Sequence, residues 1–383
     1  MNDLTIILLL KGRDAFTIRW FEYAKKFKLS CKVIVADGGV DNGLENELRN
    51  KKFHLVVNYD YVRYPYDENH QIFYAKVHDA LTKVETKQVL LASNDDFYFF
   101  DALESSVHFL NENPEFVASR GELWDFNVIS PPSGFQRSNT KDHIYGDMDR
   151  VRKLYFHTTV LGDSAMDRVA DYTLKCNSVF HDVIRTESLR EALSVFVKSK
   201  TNDWRFFEKF ISCFIASHGK IHRGEGLYML HQCHPEMAAL TIVGNTPLEW
   251  IDSAGWNEDF DRFINSLAVQ VSKIDKIAFY EAKCELIKCF LVNVVLKTMM
   301  QGFYQQRTTE ITIKTYIVSL LKSVIRKYNF IQNTARKVYL MFLVSKEDSC
   351  PYDKELDDIK KFLKNRAIRR LPSDRLTKSA VRK

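Results

Sequence analysis

An apolar, strand-like run of the chain ends abruptly in acidic and amide side chains. Gln88–Phe100 reads QVLLASNDDFYFF, so Asn94, Asp95 and Asp96 separate two stretches of large apolar residues. Adjacent carboxylates beside so much apolar surface are costly to bury unless a cation or hydrogen-bond donors compensate. Their hard oxygen ligands suit Mg²⁺ or Mn²⁺, which complete their coordination with water and substrate phosphates. The same residues are also compatible with a plain polar turn between two buried strands.

Polar segments follow two other predicted strands. The run LTIILLL is followed by Lys11 and Arg13, and the run CKVIVA is followed by Asp37 and two glycines. In open α/β sheets, ligands bind outside the carboxyl ends of the strands. We therefore expect these residues and Asn94–Asp96 to lie along one edge of a sheet, which favours a metal site over a turn.

The elements that would position these residues alternate between strand-like and helix-like patterns. Such alternation predicts an α/β fold with a mostly parallel sheet flanked by helices. Strands are predicted at LTIILLL, CKVIVA, FHLVV, QVLLA, EFVASRGELWDF and GLYMLHQCHPEM. Helices are predicted at Asp14–Lys28, Asn69–Val84, Ala102–Asn111, Val179–Phe196 and Asn202–Ser217.

The length of 383 residues suggests two domains, or one domain with a large extension. Residues 1–245 are predicted to form the α/β domain. After a boundary near Thr246–Asp252 the chain becomes long helical patterns with little glycine, so residues 246–383 are predicted to be a helical C-terminal region. The segment Ile129–Asp149, which contains two prolines and two glycines, is predicted to be a loop.

Composition and cysteine usage favour a cytoplasmic protein. The N-terminus lacks a basic leader, and its apolar run of Leu4–Leu10 is too short for a signal peptide or a membrane span. Seven scattered cysteines, an odd number, do not form a disulfide framework.

The net charge of +6 is a property of the C-terminal region. Residues 311–383 contain 18 basic and 7 acidic side chains. Within residues 319–346, Lys and Arg are interleaved with large apolar residues and no acid is present. This composition favours peripheral attachment to an anionic membrane surface. Nucleic acid is the weaker interpretation, because no recognition motif accompanies the charge.

Two aspartates each have a structural and a functional interpretation. Asp37 is either a turn residue at a strand end or a carboxylate that binds a base or ribose. Asp203 either complements a helix dipole or acts as a general base. No G-x-G-x-x-G motif follows the first strand and no P-loop occurs, which disfavours a dehydrogenase or a P-loop kinase.

A histidine-rich segment raises the question of zinc. It contains Cys213, His218, His222, His231, Cys233 and His234. The segment has no C-x-x-C pair, and Gly219 is expected to end the helix that would align the first two histidines, so structural zinc is disfavoured. We expect His231 instead to reach a metal or a leaving diphosphate.

With these motifs in place, residues 4–237 resemble the GT-A glycosyltransferases of the family 2 type, especially a divergent bacterial branch from surface-polysaccharide gene clusters. The resemblance rests on LTIILLLKGRDAF, VIVADGG, LLASNDDFYF, SKTNDWRFFEKF and GKIHRGEGLYMLHQ. Asn94 stands at the first acidic position of the metal motif, and Asn202 replaces the usual Glu before Asp203.

The resemblance implies inverting transfer of a sugar from a nucleotide-sugar donor to a glycan or lipid-linked acceptor, at the inner face of the cell membrane. It implies that Asp203 takes the acceptor proton, and that Mg²⁺ or Mn²⁺ is held by Asp96, Asp95 and His231. The nucleotide-binding residues that it implies are Lys11, Arg13, Asp37, Lys76, Asn94 and Asp95. Two alternatives stay open: a sugar nucleotidyltransferase, whose glycine- and lysine-rich phosphate loop is absent, and a non-catalytic scaffold, of which the two asparagines would be signs.

Overall fold

The computed structural model describes residues 1–129, 144–154, 158–175, 178–234, 250–296 and 351–369. Within these residues a nine-stranded mixed sheet lies between helices. The strands are β1 (Leu4–Leu10), β2 (Lys32–Asp37), β3 (Tyr59–Arg63), β4 (Gln88–Ala92), β5 (Phe97–Tyr98), β6 (Phe116–Ile129), β7 (Asp147–Lys153), β8 (Val183–Arg185) and β9 (Lys220–Gln232).

The helices cover both faces of this sheet. They are α1 (Asp14–Lys26), α2 (Gly43–Asn50), α3 (His70–Thr82), α4 (Phe100–Glu112), α5 (Ala165–Lys175), α6 (Thr186–Ser199), α7 (Trp204–His218), α8 (Trp256–Asp275), α9 (Phe279–Cys289) and α10 (Asp353–Arg369). A 3₁₀ turn spans Phe53–Leu55, and a π-helical turn, Phe290–Leu296, extends α9. The predicted α/β class, with helices on a largely parallel sheet and a C-terminal helix, is confirmed.

The strand order brings several carboxyl ends to one edge. The order is β3-β2-β1-β4-β8-β6-β9-β5, with β7 beside β6. Strands β3, β2, β1 and β4 are parallel. Because β8 is antiparallel to both β4 and β6, and β9 is parallel to β6, strands β6 and β9 run in the same direction as β4. The carboxyl ends of β1, β2, β4, β6 and β9 therefore share one edge, which we call the carboxyl edge.

Strand β1 shows why its sequence is an unbroken apolar run. Ile6 and Leu8 pack in one cluster with α1, α2 and α4, whereas Ile7 packs in another with α3, α5, α6, α7, α8 and α9. A strand covered on both faces has no polar side, so alternation disappears. A third cluster joins α10 to the far part of the sheet, where Phe362 packs near Tyr23 and Phe97.

Helices on both sides of the predicted domain boundary contribute to one core. Trp250 and Phe263 belong to the same hydrophobic cluster as Phe206 of α7. Position 245/246 itself, residues 130–143 of the predicted loop, and the basic segment 319–346 lie outside the described residues. The prediction of a loop is wrong at its ends, because Ile129 belongs to β6 and Asp147–Asp149 belong to β7, where the two strands pair. In the part of the chain that is described, every helix is too short or too polar to cross a membrane.

Two predicted elements are wrong. The predicted strand FHLVV contains a 3₁₀ turn, because Phe53 and Val57 are buried at helical spacing with three exposed residues between them, and the strand that pairs with β2 is Tyr59–Arg63. The predicted helix Val179–Phe196 is divided, because Val183 and Ile184 pair with neighbouring strands as β8 before α6 begins.

Helix α7 begins at Trp204, two residues after the predicted start at Asn202. Asp203, rather than Asn202, is the N-cap, and its Oδ1 accepts a hydrogen bond of 2.9 Å from the amide of Arg205. Capping of this kind satisfies an amide that has no partner within the helix.

Candidate active site at the carboxyl edge

The loop after β1 directs two cationic side chains to the carboxyl edge. Gly12 and Arg13 both have left-handed backbone conformations, with φ of 73° and 61°. The Arg13 guanidinium donates to Asp95 Oδ2 at 2.5 Å, which ties this loop to the turn after β4. Lys11 is exposed, and its ammonium lies 5.3 Å from the centroid of the Tyr66 ring. Lys11, Arg13 and Asp95 are thus brought to the same edge, as predicted for parallel strands.

Asp37 ends β2 with a buried, oriented carboxylate. Its Oδ1 accepts from the amide of Gly39 at 2.8 Å, and its Oδ2 accepts from the Tyr61 hydroxyl and the Arg63 guanidinium, each at 2.5 Å. A carboxylate offers about four acceptor positions, so one remains for a ligand donor. Tyr61 and Arg63 lie on β3 and hold Asp37 in place.

Lys76 lies inside the protein, beneath the loops of the carboxyl edge. Its ammonium donates to the carbonyl of Leu10 at 2.7 Å and to the carboxylate of Asp67. Both side chains of this pair are almost completely buried. Burial lowers the pKa of Lys76 and raises that of Asp67, against the attraction between the two groups. A Cβ at Gly38 would lie 2.5 Å from the Asp67 carboxyl group, so only glycine allows this close approach.

Asn94 and Asp95 face the helix that follows β1. The Asn94 amide donates to Thr17 Oγ1 at 2.9 Å, and Arg19 donates to the Asp95 carbonyl at 2.7 Å. Asp95 Oδ2 also accepts from His234 Nε2 at 2.8 Å. Burial alone would raise the pKa of Asp95, but the hydrogen bond from His234 and the charge of Arg13 outweigh it and hold that pKa below its usual range.

Asp96 faces a second histidine. Its Oδ1 accepts from His231 Nδ1 at 2.8 Å, and in the parallel register His231 of β9 is the neighbour of Asp125 on β6. Burial lowers the pKa of His231, but the charges of Asp96, Asp125 and Asp95 together raise it to about 9. Burial raises the pKa of Asp125, although His231 and Arg152 act in the opposite direction.

Oxygen atoms of this cluster lack donors. Among the described residues, no hydrogen bond reaches Asp95 Oδ1, Asp96 Oδ2 or Asp125 Oδ1, all of which are buried. Buried polar atoms are almost always satisfied by protein, water or an ion. Carboxylate oxygens are the ligands that a hard divalent cation prefers. Among the described residues, however, the ligand atoms that converge within 4.8 Å belong to Asp125, His231 and Cys233, and not to the predicted set of Asp95, Asp96 and His231.

Asp203 lies at the same edge of the fold but has different partners. Its carboxylate pairs with the guanidinium of Arg205, at 2.8 Å to Nη2, and accepts from the indole of Trp250. The preceding turn is joined to α3 by Gln71, which donates to the carbonyl of Thr201 at 2.7 Å. Burial, and to a smaller extent the charge of Lys11, lower the pKa of His70, whereas the charge of Asp203 raises it. Lys11 and Asp203 therefore both influence this histidine.

Sequence reasoning missed several residues of the site. Arg19 lies within the amphipathic pattern of α1, and Asp125 lies within an apolar run that predicts a strand. The neighbouring sequence does not mark either position as functional. Arg19 contacts Asp95, and Asp125 lies beside His231, only because the fold brings distant segments together. His234 was identified only as a member of the histidine-rich segment, and its contact with Asp95 is long-range.

Comparisons with known proteins leave the function to be argued from this site. No protein-family model matches the chain, and no curated protein matches it. Similar solved structures include S. aureus TarS, with 15% identity, a TM-score of 0.46, and coverage of 82% of this chain and 46% of that one. The structure of TarS residues 1–349 has 13% identity and a TM-score of 0.37, and its complex with UDP-GlcNAc has 13% identity and a TM-score of 0.39. For each of these, 79% of this chain and 92% of the other are covered.

The chain therefore spans less than half the length of the first of these structures.

Proposed function

We propose that the chain is a metal-dependent glycosyltransferase that uses a nucleotide-sugar donor. The observation that carries the proposal is the set of three buried carboxylates, Asp95, Asp96 and Asp125, each with an oxygen that no described residue satisfies. They lie at the carboxyl edge, where open α/β sheets bind ligands. A divalent cation with a diphosphate would satisfy these oxygens and make use of the nearby guanidinium of Arg13.

In this proposal Asp96 and Asp95 hold Mg²⁺ or Mn²⁺, with His231 beside them as the third member of the site. When bound, the ion would neutralise the negative charge that develops on the departing nucleotide. The chain contributes burial, which strengthens these electrostatic interactions by excluding water. Arg13, paired with Asp95, is placed to contact the diphosphate as well.

The nucleotide would extend from this cluster toward β2. Asp37, held by Tyr61 and Arg63, offers its remaining acceptor position to an N–H or O–H group of the base or ribose. Lys11 would contribute positive charge from the exposed side of the loop, and Asn94 would fix the turn that carries Asp95. Lys76 acts on the donor indirectly, since its ammonium is bonded to Asp67 and supports the loops above it.

Asp203 is proposed to be the general base of an inverting displacement. The acceptor hydroxyl oxygen would attack the anomeric carbon, the bond to the nucleotide diphosphate would break, and Asp203 would take the hydroxyl proton. Arg205 and Trp250 orient its carboxylate, and the base must leave part of this pairing when acceptor binds. In this role the contacts of Asp203 with Arg205 and Trp250 orient the base for the acceptor hydroxyl, in addition to the capping of α7.

We propose a glycan or lipid-linked acceptor of bacterial surface polysaccharide synthesis, used at the cytoplasmic face of the membrane. The basic and apolar composition of residues 319–346 supports contact with anionic lipid. A vesicle flotation assay with anionic and neutral lipids checks this part, and equal recovery with both lipids would contradict it.

The donor is tested by thermal unfolding of the full chain with UDP-, GDP-, CMP- and dTDP-sugars, with and without Mn²⁺. Binding to the native state raises the unfolding temperature by mass action. We expect one nucleotide class to stabilise the protein more with Mn²⁺ than without it. Asp96→Asn should abolish the Mn²⁺-dependent part, whereas Asp101→Asn, at an exposed acid of α4, should keep it.

Product analysis separates the alternatives. Release of a nucleoside diphosphate with transfer of the sugar supports the proposal, and release of inorganic diphosphate would indicate a nucleotidyltransferase. Absence of nucleotide binding by calorimetry in the presence of Mn²⁺ would indicate a scaffold. Unchanged transfer by both Asp96→Asn and Asp203→Asn would refute the assigned roles.

A further inference from the structure

Three ligands of different chemistry lie side by side on one face of β6 and β9. Asp125 and His231 are neighbours in the parallel register, and Cys233 follows His231 by two residues, just beyond the end of β9. Residues two apart in extended chain point to the same face, so the three side chains converge. One ligand atom of each lies within 4.8 Å of the ligand atoms of the other two.

The Asp125 carboxylate gives an independent indication of a cation. Its side chain is 5% exposed, and its Oδ2 lies 3.2 Å from the Arg152 guanidinium. Its Oδ1 is buried and has no hydrogen-bond partner of good geometry in the described ranges, and the Cys233 thiol interacts with the same carboxylate. A buried carboxylate oxygen without a donor is costly, and a bound cation removes that cost.

The contact between Asp96 and His231 prepares the imidazole for metal. Asp96 Oδ1 accepts from His231 Nδ1, so Nε2 is the ring nitrogen that stays available to an ion. Histidines that bind metal usually donate their other nitrogen to a carboxylate or carbonyl, which fixes the ring orientation. Asp96 has this geometry relative to His231.

We propose that Asp125, His231 Nε2 and Cys233 Sγ bind a divalent cation of the zinc class, with Asp96 as the outer carboxylate and a fourth coordination position open. Thiolate and imidazole ligands select zinc or cobalt, whereas Mg²⁺ and Mn²⁺ prefer oxygen. Three protein ligands with an open position are typical of zinc sites that bind a substrate or water. Binding replaces the S–H bond of Cys233 and the Nε2–H bond of protonated His231 by bonds to the metal, and both protons are released to solvent.

This site overlaps the hard-ion site proposed for the donor diphosphate, since Asp96 and Asp125 belong to both clusters, but it differs in its thiolate ligand. The two share His231, so an ion bound to Nε2 would compete with any Mg²⁺ or Mn²⁺ that recruits the same ring. We therefore expect Zn²⁺ to modulate the carboxyl edge whether or not the sugar chemistry is as proposed.

Cobalt provides the direct test. The metal-free full chain is titrated with Co²⁺ alone, without nucleotide, and the near-ultraviolet absorption is recorded. We expect a thiolate-to-cobalt charge-transfer band that Zn²⁺ removes by displacement. Cys233→Ser should abolish the band, whereas Cys284→Ser, at an exposed cysteine of α9, should leave it unchanged. Asp96→Asn should weaken Co²⁺ binding by roughly 10- to 100-fold, as expected for an outer carboxylate.

A measurement on the unmodified chain guards against misfolded variants. Zn²⁺ should protect Cys233 from iodoacetamide while Cys284 stays reactive, as read by peptide mass spectrometry. Absence of the charge-transfer band, its persistence in Cys233→Ser, or equal alkylation of Cys233 with and without Zn²⁺ would each overturn the site. These measurements contain no nucleotide, so they do not depend on whether the protein transfers a sugar. If the protein transfers a sugar with Mn²⁺ but shows no charge-transfer band with Co²⁺, the zinc-class site is refuted and the glycosyltransferase proposal is not.

Discussion

Two clusters of charged residues in this protein differ in how deeply their ion pairs are buried. In the first, Asp182 lies between the guanidinium groups of Arg120 and Arg223, at nitrogen–oxygen distances of 2.8 and 2.7 Å, and all three side chains are buried. In the second, the carboxylates of Asp95, Asp96 and Asp125 lie at the carboxyl edge. Buried oxygens without a hydrogen-bond donor from the described residues occur in both clusters, at Asp182 Oδ1 and at each of these three carboxylates.

The difference separates a structural cluster from a candidate ligand site. Asp182 precedes β8, and its arginines come from β6 and β9, so the triad ties three neighbouring strands together. The acidic cluster also joins strands, but Arg13 and Arg152, the guanidinium partners of Asp95 and Asp125, are 25% and 74% exposed, so its ion pairs are open to a ligand. Polar groups held in this state are typical of sites that bind ions or substrates, where stability is lost in favour of function.

The largest effect on stability is expected from Asp182→Ala. Removal of this carboxylate leaves two guanidinium groups buried without their counter-ion, which should lower the free energy of unfolding by about 3–5 kcal/mol. Denaturant unfolding measures the change. The control is Asp261→Asn, whose partner Lys283 lies at the surface, with an expected loss of no more than about 1 kcal/mol. Equal losses in the two variants would remove the contrast between the clusters.

Asp96→Asn should have the opposite profile. Loss of the negative charge weakens the pair with His231, but the amide oxygen can still accept from Nδ1, so the metal-free protein should lose only about 1 kcal/mol of stability. Transfer activity should fall by about 10²–10³-fold, the usual size of a lost electrostatic contact in the transition state. Rate measurements at saturating donor check the loss of activity, and thermal unfolding in EDTA checks the stability of the metal-free protein. A strongly destabilised variant would show that Asp96 is structural, like Asp182.

Lys76→Met tests a buried pair that lies at the carboxyl edge but is internally satisfied. Loss of the ammonium leaves Asp67 buried and unpaired, which should cost about 3 kcal/mol at pH 8. Burial raises the folded-state pKa of Asp67 above its usual value of 3.8, so the stability of the variant is greatest below that pH and falls as pH rises through the folded pKa. Unfolding followed between pH 4 and pH 8 should show a growing deficit relative to the wild type, and a constant deficit would contradict this account.

The smallest structural effect is expected at Asp203. As an N-cap, its replacement by Ala should cost about 1 kcal/mol of stability. As a general base, its loss should lower kcat by about 10²–10⁴-fold with little change in KM for the donor. Asn202→Ala, which leaves the cap in place, is the matched control. A loss of stability without a loss of kcat would reduce Asp203 to its capping role.

The sequence predicts the parts of this molecule that have local signals. The buried runs of β1, β2 and β4 are recognisable because strands covered on both faces are apolar throughout, and the polar residues after them follow from strand direction. The 3₁₀ turn at Phe53–Leu55 was missed because a short apolar run does not distinguish a turn from a strand.

Partnerships between distant residues could not be predicted from the sequence. Asp182 meets Arg120 and Arg223 across 62 and 41 positions of the chain, and Asp125 meets His231 across 106. Such contacts depend on strand order and register, which the periodicity of one segment does not contain. The burial of Lys76 had the same origin, since its partner Asp67 lies in a loop whose path is set by Gly38.

The backbone of Arg13 has an energetic consequence for the loop after β1. A non-glycine residue at φ 61° and ψ 46° stores about 1–2 kcal/mol of conformational energy. The ion pair between the Arg13 guanidinium and Asp95 helps to hold the backbone of Arg13 in this conformation. An anion that binds the Arg13 guanidinium would weaken its pair with Asp95. We expect the loop then to relax to a lower-energy backbone conformation, so that part of the stored conformational energy adds to the binding free energy of the anion.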